Sequence, residues 1–446
     1  MSTWSEYAVW WQLHPLTFLG AIPAAPTAVG DATVEHRLDG LEPWLDYLVE
    51  LGCNGLALGP IFASESHGYD TTDHYRIDPK LGTDEDFARL VERCRARGVR
   101  LLLDGVFNHV GRGFPAFRDV LEHGRASRYA SWFRTDFDEP GTDGDGFAYA
   151  CFEGHRHLVA LNHAEPEVRE YVSGVMRHWL ERGADGWRLD AAYAVPHDFW
   201  HETIGRVRGE GHQNAWFVGE YIHGDYTAAV REGALDSVTQ YELWKAIWSS
   251  LNDGNFFELA WALDRHNGYT DAQLPLTFVG NHDVTRLASR LEDERCLPHA
   301  LAILLTVAGI PSIYAGDEQA FRGVKYERAD GDAEIRPAFP PQGPAGLAPH
   351  GRPVFRLHQD LIGLRRRHPW LVRARTRVLR LEKLAFAYEV RDPDGDAALA
   401  VLLNLADREQ VFPVGPAGAR RILASRGSGW NGLVEAHGWA ILDLRP

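Results

Sequence analysis

The sequence predicts an α/β fold: a TIM (β/α)8 barrel with an inserted loop domain after strand three and a C-terminal all-β sandwich domain. The chain has 446 residues, which suits a large barrel with an accessory module. Eight short apolar runs alternate with amphipathic segments, as βα units around a parallel sheet require. After about Val372 the pattern changes to short strands joined by turn residues. These three observations predict the fold class.

The eight apolar runs are assigned, in chain order, to the strands of the barrel. Each run is short and bounded by polar or turn residues, which favours the buried strands of a parallel sheet. The predicted strands are residues 8–13, 55–58, 99–106, 186–191, 215–219, 237–243, 276–279 and 310–315. Eight such units predict a closed barrel.

Two helices in the first half show the expected pattern between strands. Apolar residues recur at helical spacing from Leu41 to Val49, before strand two. Thr83 is placed to cap a second helix, whose first turn is acidic and which ends before Gly98. Both helices would cover the outside of the sheet.

Two regions depart from a minimal barrel, and they define the predicted domains. Residues 109–161 are rich in Gly, Asp and aromatic residues and show no clear helix, which predicts an inserted loop domain between the two parts of the barrel, 1–108 and 162–371. Residues 372–446 are predicted to form the β-sandwich domain. Its predicted strands are residues 376–381, 386–391, 397–403 and 422–425.

The composition narrows the class of ligand and the compartment. The formal net charge of −16 repels phosphate backbones and anionic lipids, so neither nucleic acid nor a membrane is a predicted partner. The four cysteines are far apart and lack the spacing of a zinc site, which predicts buried free thiols. The N-terminus shows no basic segment before an apolar stretch, and the uncharged run 300–315 is too short to span a membrane. We therefore expect a cytoplasmic protein.

Polar side chains follow four of the predicted strands, where each strand ends. In an eight-stranded barrel these ends gather around one mouth, even when they are far apart in sequence. The residues expected at that mouth are Asp104, His109, Arg188, Asp190, Glu220, His282 and Asp283.

This set of residues suits the hydrolysis of glycosidic bonds by double displacement. That reaction needs one carboxylate to attack the sugar carbon and one carboxylic acid to protonate the leaving oxygen. Asp190 is two residues after Arg188, on the same face of a strand, so the cation would keep it charged as the nucleophile. Glu220 follows an apolar strand and has no adjacent cation, so it can stay protonated as the acid/base. His282 would hold sugar hydroxyls, and Asp283 would stabilise oxocarbenium charge.

Four sequence blocks around these residues resemble the signature blocks of the α-amylase family of glycoside hydrolases, in the same order. The blocks are Asp104-Gly-Val-Phe-Asn-His, Gly186-Trp-Arg-Leu-Asp-Ala, Phe217-Val-Gly-Glu and Phe278-Val-Gly-Asn-His-Asp. The similarity spans roughly residues 6–340. The family's fold, with a loop domain after strand three and a C-terminal β-sandwich, agrees with the elements assigned above.

The resemblance also implies roles for residues that bind the sugar. The stretch beginning His67-Gly-Tyr-Asp resembles the family's segment after strand two, which makes Tyr69 the platform that stacks on the sugar. His109, Arg188 and His282 would hold the same ring, and Asp104 is assigned to substrate binding with them. Tyr314-Ala-Gly-Asp-Glu resembles the strand-eight block, and Arg336 the basic residue that often follows it.

The residues after Asp190 indicate a subtype. Many family amylases continue with Ala-Ala-Lys-His, whereas this chain continues with Ala-Ala-Tyr-Ala. The Gly-Trp-Arg-Leu-Asp block and Phe199-Trp200 are more similar to neopullulanases and cyclomaltodextrinases, which favour short or cyclic malto-oligosaccharides. Those enzymes usually carry an extra N-terminal β domain, whereas strand one begins here almost at once.

The leading hypothesis is a retaining glycoside hydrolase that cleaves mainly α-1,4 bonds in malto-oligosaccharides or related α-glucans. A transglycosylase or glucanotransferase and an α-glucosidase stay open as alternatives, because the same glycosyl-enzyme intermediate can pass to a sugar hydroxyl. A non-catalytic carbohydrate-binding protein would lack at least one of the three acids. A phosphate-binding barrel isomerase would need Gly-rich cradles after strands seven and eight, where Asp283, Asp317 and Glu318 lie instead.

No cofactor or metal is predicted. Calcium is the metal that the sequence could hold, because Asn108 and an acidic loop supply oxygen ligands. That loop contains Asp136, Asp138, Asp143 and Asp145. Carboxylates in a Gly-rich loop are more often solvated than metal-bound, so the site is left unassigned. The sequence does not determine the oligomeric state.

Overall fold

Eight parallel strands form the central sheet of the computed structural model, which describes residues 4–22, 34–141, 144–328, 331–414, 420–425 and 430–444. The strands are β1 (Trp10–Leu13), β2 (Gly55–Leu58), β3 (Arg100–Gly105), β4 (Gly186–Leu189), β5 (Trp216–Gly219), β6 (Ser237–Val238), β7 (Leu276–Thr277) and β8 (Ile310–Tyr314). Their order in the sheet is β6-β5-β4-β3-β2-β1-β8-β7. A parallel bridge from Thr239 to Leu276 joins the two edges and closes the barrel, as predicted.

The described residues contain twelve α-helices, and those between the barrel strands cover the outside of the barrel. They are α1 (Pro15–Phe18), α2 (Glu42–Leu51), α3 (Asp84–Ala96), α4 (Pro115–His123), α5 (Pro166–Glu181), α6 (His197–Gly209), α7 (Tyr226–Gly233), α8 (Tyr241–Asn252), α9 (Phe257–Thr270), α10 (Leu287–Arg290), α11 (Leu297–Thr306) and α12 (Arg352–Arg367). Within the described parts of the chain, no helix is long and apolar enough to cross a bilayer.

Two predicted elements need correction. The sixth strand ends at Val238, and Tyr241 already begins α8, whose first turn is capped by the side chain of Gln240. The excursion after β3 contains α4, which begins with Pro115 at its first position and buries Phe117 and Val120. The sixth run is wrong because it joins two elements: Ser237 and Val238 pair with β5, whereas Gln240 caps the helix that follows.

The excursion after β3 is built around a small antiparallel sheet. Strand His155–Ala160 lies between His109–Gly111 and Cys151–Phe152. Arg112 donates two hydrogen bonds of 2.8 Å to Asp145 and holds the surrounding loop to this sheet. The sheet places Phe152 beside the mouth of the barrel. The domain limits at 109 and 161 stay a prediction.

The C-terminal region forms a five-stranded antiparallel sheet and a separate strand pair. The sheet strands are β9 (Arg375–Leu381), β10 (Ala385–Arg391), β11 (Ala398–Asn404), β12 (Arg420–Ala424) and β13 (Trp439–Asp443), in the order β9-β10-β11-β13-β12. The pair is Gln410–Val411 with Leu433–Val434. Sequence analysis assigned four of the sheet strands and missed β13. The sheet faces α9 and α11 of the barrel.

The bottom of the barrel is filled by tryptophan. The rings of Trp10 and Trp216 stack with centroids 5.6 Å apart, and both residues are buried. Gly55 faces Trp10, and a Cβ at this position would collide with the indole ring. This packing closes the bottom, so the open end of the barrel is the mouth at the carboxyl ends of its strands.

Candidate active site

The carboxyl ends of β3, β4 and β5 bring the predicted acids together. The parallel register places Asp104 directly opposite Arg188, with Asp190 and Glu220 just beyond the ends of their strands. Asp104, Arg188, Asp190 and Glu220 are all buried, and the turn after β7 adds Asp283. The structure therefore places these five predicted residues at one mouth.

One guanidinium group links four carboxylates. Arg188 Nη1 lies 2.9 Å from Asp104 Oδ1 and 2.7 Å from Asp190 Oδ1. Its Nη2 lies 2.7 Å from Glu220 Oε1 and 3.8 Å from Asp283 Oδ2. The expectation that Glu220 has no cation beside it is wrong, because a cation on the neighbouring strand reaches it.

The shared arginine also limits the distance between Asp190 and Glu220. Each carboxylate contacts one of the two terminal nitrogens of the same rigid, planar group, so their bound oxygens lie less than about 8 Å apart. Retaining glycosidases hold their two carboxyl groups about 5–5.5 Å apart, which falls inside this limit. The geometry thus permits a double displacement.

A strained backbone residue joins the two acids. Ala191 has a φ of 44°, in the left-handed region that non-glycine residues rarely adopt. Its backbone N–H donates a hydrogen bond of 3.0 Å to Glu220 Oε2. The turn immediately after Asp190 thereby fixes the second oxygen of Glu220.

Burial and neighbouring charges together shift the pKa values of the acids in different directions. For Asp190, burial raises the pKa well above its ordinary value, and the carboxylates of Glu220, Asp104 and Asp283 add to this rise against the opposing effect of Arg188. The sequence accounts for Arg188, which lowers the pKa of Asp190, but not for burial and the three other carboxylates, which raise it. The pKa of Asp104 is also raised, mainly by burial.

Asp283 behaves in the opposite way because cations surround it. Burial alone would raise its pKa, but His282, Arg336 and Arg188 together hold it well below the usual range. His282 Nε2 lies 3.0 Å from Asp283 Oδ2, and Arg336 Nη2 lies 2.8 Å from Oδ1. Asp283 is therefore the carboxylate that is held most firmly in its charged form.

Aromatic rings form one wall of the mouth. Tyr69 and His282 stack with an interplanar angle of 3° and centroids 5.8 Å apart, and the Tyr69 hydroxyl hydrogen-bonds to His282 Nε2. That hydroxyl also donates to Asp104 Oδ2 at 3.3 Å. His14, at the end of β1, packs against both rings. This wall offers a flat apolar face of the kind that suits a pyranose ring.

His109 lies on the side formed by the inserted sheet. It is buried and stacks on Phe152 with centroids 4.8 Å apart. Burial lowers its pKa to about 3, so the ring is neutral at physiological pH. Its Nε2 atom is buried and makes no side-chain hydrogen bond with the described residues.

Two residues outside the assigned set complete the site. Arg336 donates to the carbonyl of His282 at 2.8 Å as well as to Asp283, and the resemblance had already drawn attention to it. The Tyr241 hydroxyl lies 3.4 Å from Glu220 Oε1 and accepts a 2.8 Å hydrogen bond from Asn281. Tyr241 was missed because its segment was assigned to a strand rather than to the start of a helix.

The predicted oxygen donors for calcium do not converge in the described residues. Asp145 pairs with Arg112, and Asp138 pairs with Arg125 on the surface. Asp143 lies outside the described residues. In the part of the chain that is described, no group of three or more His, Cys, Asp or Glu residues is placed to hold a metal ion.

Comparisons with known proteins identify the family. Residues 28–339 match the alpha-amylase family, described as alpha amylase, catalytic domain. Neopullulanase 2 of Thermoactinomyces vulgaris is 33% identical over 468 residues, which cover 99% of this chain and 77% of the relative. A cyclomaltodextrinase from a Bacillus species is 32% identical over 425 residues, which cover 90% of this chain and 73% of the relative.

A solved structure shows the same architecture along the whole chain. Cyclic alpha-maltosyl-(1→6)-maltose hydrolase from Arthrobacter globiformis, in its ligand-free form, matches with a TM-score of 0.81 and 27% identity over 99% of both chains. The resemblance read from the sequence blocks is confirmed. The chain belongs to the alpha-amylase family and is a glycoside hydrolase.

Proposed function

We propose that the enzyme cleaves α-1,4 bonds of short or cyclic malto-oligosaccharides, with Asp190 as nucleophile, Glu220 as acid/base and Asp283 as stabilising anion. The observation that carries this assignment is the single guanidinium of Arg188, which contacts Asp190 and Glu220 through its two terminal nitrogens. It keeps the bound oxygens of the two acids less than about 8 Å apart, a limit that includes the separation in retaining enzymes.

In the first step, Asp190 Oδ2 attacks the anomeric carbon. This oxygen makes no hydrogen bond with the described residues, whereas Oδ1 is held by Arg188. A bond forms between Oδ2 and the sugar as the glycosidic bond breaks, and the proton of Glu220 moves to the leaving oxygen. The charge that develops on the sugar ring is positive, and the firmly ionised Asp283 stabilises it.

In the second step, water replaces the leaving sugar. Glu220, now a carboxylate, takes a proton from that water while the water oxygen attacks the anomeric carbon. The ester bond to Asp190 breaks, which restores the Asp190 carboxylate, and the proton taken from water leaves Glu220 protonated again. Tyr69, Asp104, His109, Arg188 and His282 hold the sugar: Tyr69 offers its ring face, and His109 offers its unpartnered Nε2.

The relatives support the substrate class. By their names, one acts on cyclic maltodextrins and another on pullulan-type glucans. Structures of the Arthrobacter hydrolase contain maltose and cyclic alpha-maltosyl-(1→6)-maltose. We also propose a cytoplasmic location, because the four cysteines are unpaired thiols, as a reducing compartment favours.

The test separates the two roles by the leaving group. Glu220→Gln should lower kcat on maltotriose by about 10²–10⁴-fold, but much less on α-maltosyl fluoride, whose leaving group needs no proton. Asp190→Asn should abolish turnover of both substrates, because no covalent intermediate can form. Thermal unfolding of each variant shows that it is folded. Equal losses on both substrates with Glu220→Gln, or retained turnover with Asp190→Asn, would contradict the assignment.

A second candidate function is transglycosylation, in which the glycosyl group on Asp190 passes to a sugar hydroxyl instead of water. A time course with maltotriose distinguishes the two outcomes. Maltose and glucose alone indicate hydrolysis, and oligomers longer than maltotriose indicate transglycosylation.

A further inference from the structure

A second cavity of about 530 Å³ lies between α8, α9 and the loop after β5. Small-molecule sites commonly have volumes of about 300–1,000 Å³, so the cavity has room for a small oligosaccharide. Its walls include Tyr241, Trp244 and Lys245 from α8, and Glu258, Trp261 and Arg265 from α9. None of these residues belongs to the set predicted from the sequence.

Two tryptophans give the cavity aromatic surfaces. Trp261 is 58% exposed, and the guanidinium of Arg265 lies over its ring at 4.8 Å. Trp244 is half-buried, and Phe278 and Tyr241 fix the position of its ring. Neither indole N–H has a hydrogen-bond partner among the described residues. Such rings combine an apolar face with a polar donor, which suits sugars.

The charges around the cavity are balanced. Lys245 pairs with Glu258, and Arg265 pairs with Glu242 through hydrogen bonds of 2.6 and 3.0 Å. Two cations and two anions therefore line the wall, each with a partner of opposite sign. A wall with many donors and acceptors but no net charge favours a neutral polyhydroxyl ligand over an ion.

One residue that lines the cavity also contacts the acid/base of the active site. Tyr241 lines the cavity, and its hydroxyl lies 3.4 Å from Glu220 Oε1. Ile222 and His223, which also line it, follow Glu220 by two and three residues. Because Glu220 protonates the leaving oxygen, the leaving part of a substrate must extend from this side of the mouth.

We propose that this cavity is an accessory site for the leaving-side glucose units of a longer α-glucan, which stack on Trp244 and Trp261. The inference rests on the proposed function, since that function defines the leaving side. The site would make the enzyme respond to chain length: a trisaccharide fills the cleavage site alone, whereas a heptasaccharide also reaches α9.

The test compares Trp261→Ala with a matched control on the same helix. Phe257 is 54% exposed and lies one turn before Trp261, but it does not line the cavity. Trp261→Ala should lower kcat/KM for maltoheptaose by roughly fivefold, the effect of losing one aromatic contact, and leave maltotriose within about twofold. Phe257→Ala should leave both unchanged. In the Glu220→Gln background, calorimetry should show weaker maltoheptaose binding when Trp261 is also removed.

Three results would overturn the inference. These are no change for maltoheptaose, an equal loss for maltotriose, or the same loss with Phe257→Ala, which would show that the effect is not specific to the cavity. The proposed function fails separately, if the wild-type enzyme cleaves no α-glucan. Binding of maltoheptaose that depends on Trp261 in Glu220→Gln would then still support the cavity as a glucan site.

Discussion

Arg188 determines the electrostatics of the mouth because every acid proposed for catalysis lies within 4 Å of its guanidinium. An isolated buried carboxylate is costly, and one cation cannot neutralise four of them. The acids therefore differ in their surroundings: Asp283 also contacts Arg336 and His282 and has a lowered pKa, whereas Asp190 has a raised pKa. Neighbouring acids in one cluster thus have pKa values shifted in opposite directions, depending on which of them has cations of its own.

Asp317 is another buried carboxylate beside a cation, and its protonation affects the stability of the fold. It is buried beneath the turn that carries Asp283, against the backbone of Gly280, and pairs with the buried Arg286 at 2.9 Å. Burial, which is the main cause, raises its pKa to about 7. Between about pH 4 and pH 7 the folded protein keeps a proton that the unfolded chain releases, so this group makes stability fall as pH rises.

We expect Asp317→Asn to reduce that decline. The drop in the free energy of unfolding from pH 5 to pH 7 should be smaller in the variant than in the wild type by about 2 kcal/mol. Urea denaturation at the two pH values measures the difference. Asp264→Asn, on the exposed face of α9, should leave the drop unchanged. An equal drop in wild type and Asp317→Asn would contradict the raised pKa.

The sequence predicts which residues lie at the mouth better than it predicts their side-chain contacts and backbone conformation. Asp190 and Glu220 could be placed at one mouth because parallel strands bring their carboxyl ends together. The contact between Arg188 and Glu220 could not be predicted, because it joins neighbouring strands and depends on the orientation of a long side chain. The left-handed backbone of Ala191 could not be predicted either, since alanine gives no signal for a positive φ.

At the scale of elements, the predictions succeed where one periodicity is clear. The run 55–58 matches β2 over its whole length, and Thr83 caps α3 as expected. They fail where one run spans two elements, as in the sixth strand, whose last three residues begin α8. The strand β13 was missed although it pairs with both β11 and β12, because its pattern is brief and follows a Gly-rich segment.

The start of α3 supplies a prediction at this scale. The Thr83 side chain accepts a hydrogen bond from the backbone N–H of Asp86, and the Asp86 side chain accepts one from the N–H of Thr83. Thr83→Ala removes one half of this capping box and should lower the free energy of unfolding by about 1 kcal/mol. Thr83→Ser keeps the hydroxyl and should restore most of it. Chemical denaturation tests both, and equal stabilities for Ala and Ser would exclude the cap as the cause.

At the scale of the molecule, the barrel and the C-terminal sheet share one core. The rings of Phe256, just before α9, and Phe386 on β10 stack with centroids 5.4 Å apart. Thr306 of α11 hydrogen-bonds to the Tyr388 hydroxyl at 2.9 Å. Val372, the predicted first residue of the C-terminal domain, packs with Trp10 at the bottom of the barrel. The proposed boundary therefore divides the chain at a point where the packing is continuous.

Because this core is continuous, we expect the two regions to unfold together. Phe386 is fully buried, and Phe386→Ala should cost about 3–5 kcal/mol through the lost burial and the cavity left behind. Hydrogen exchange followed by mass spectrometry in increasing urea should then show peptides of α9, α11 and β10 losing protection at the same, lower concentration. Val411→Ala, at a site 63% exposed, is the control and should shift neither region. If β10 lost protection while α9 and α11 kept theirs, the sheet would be a separate folding unit, and residues 372–446 would fold independently of the barrel.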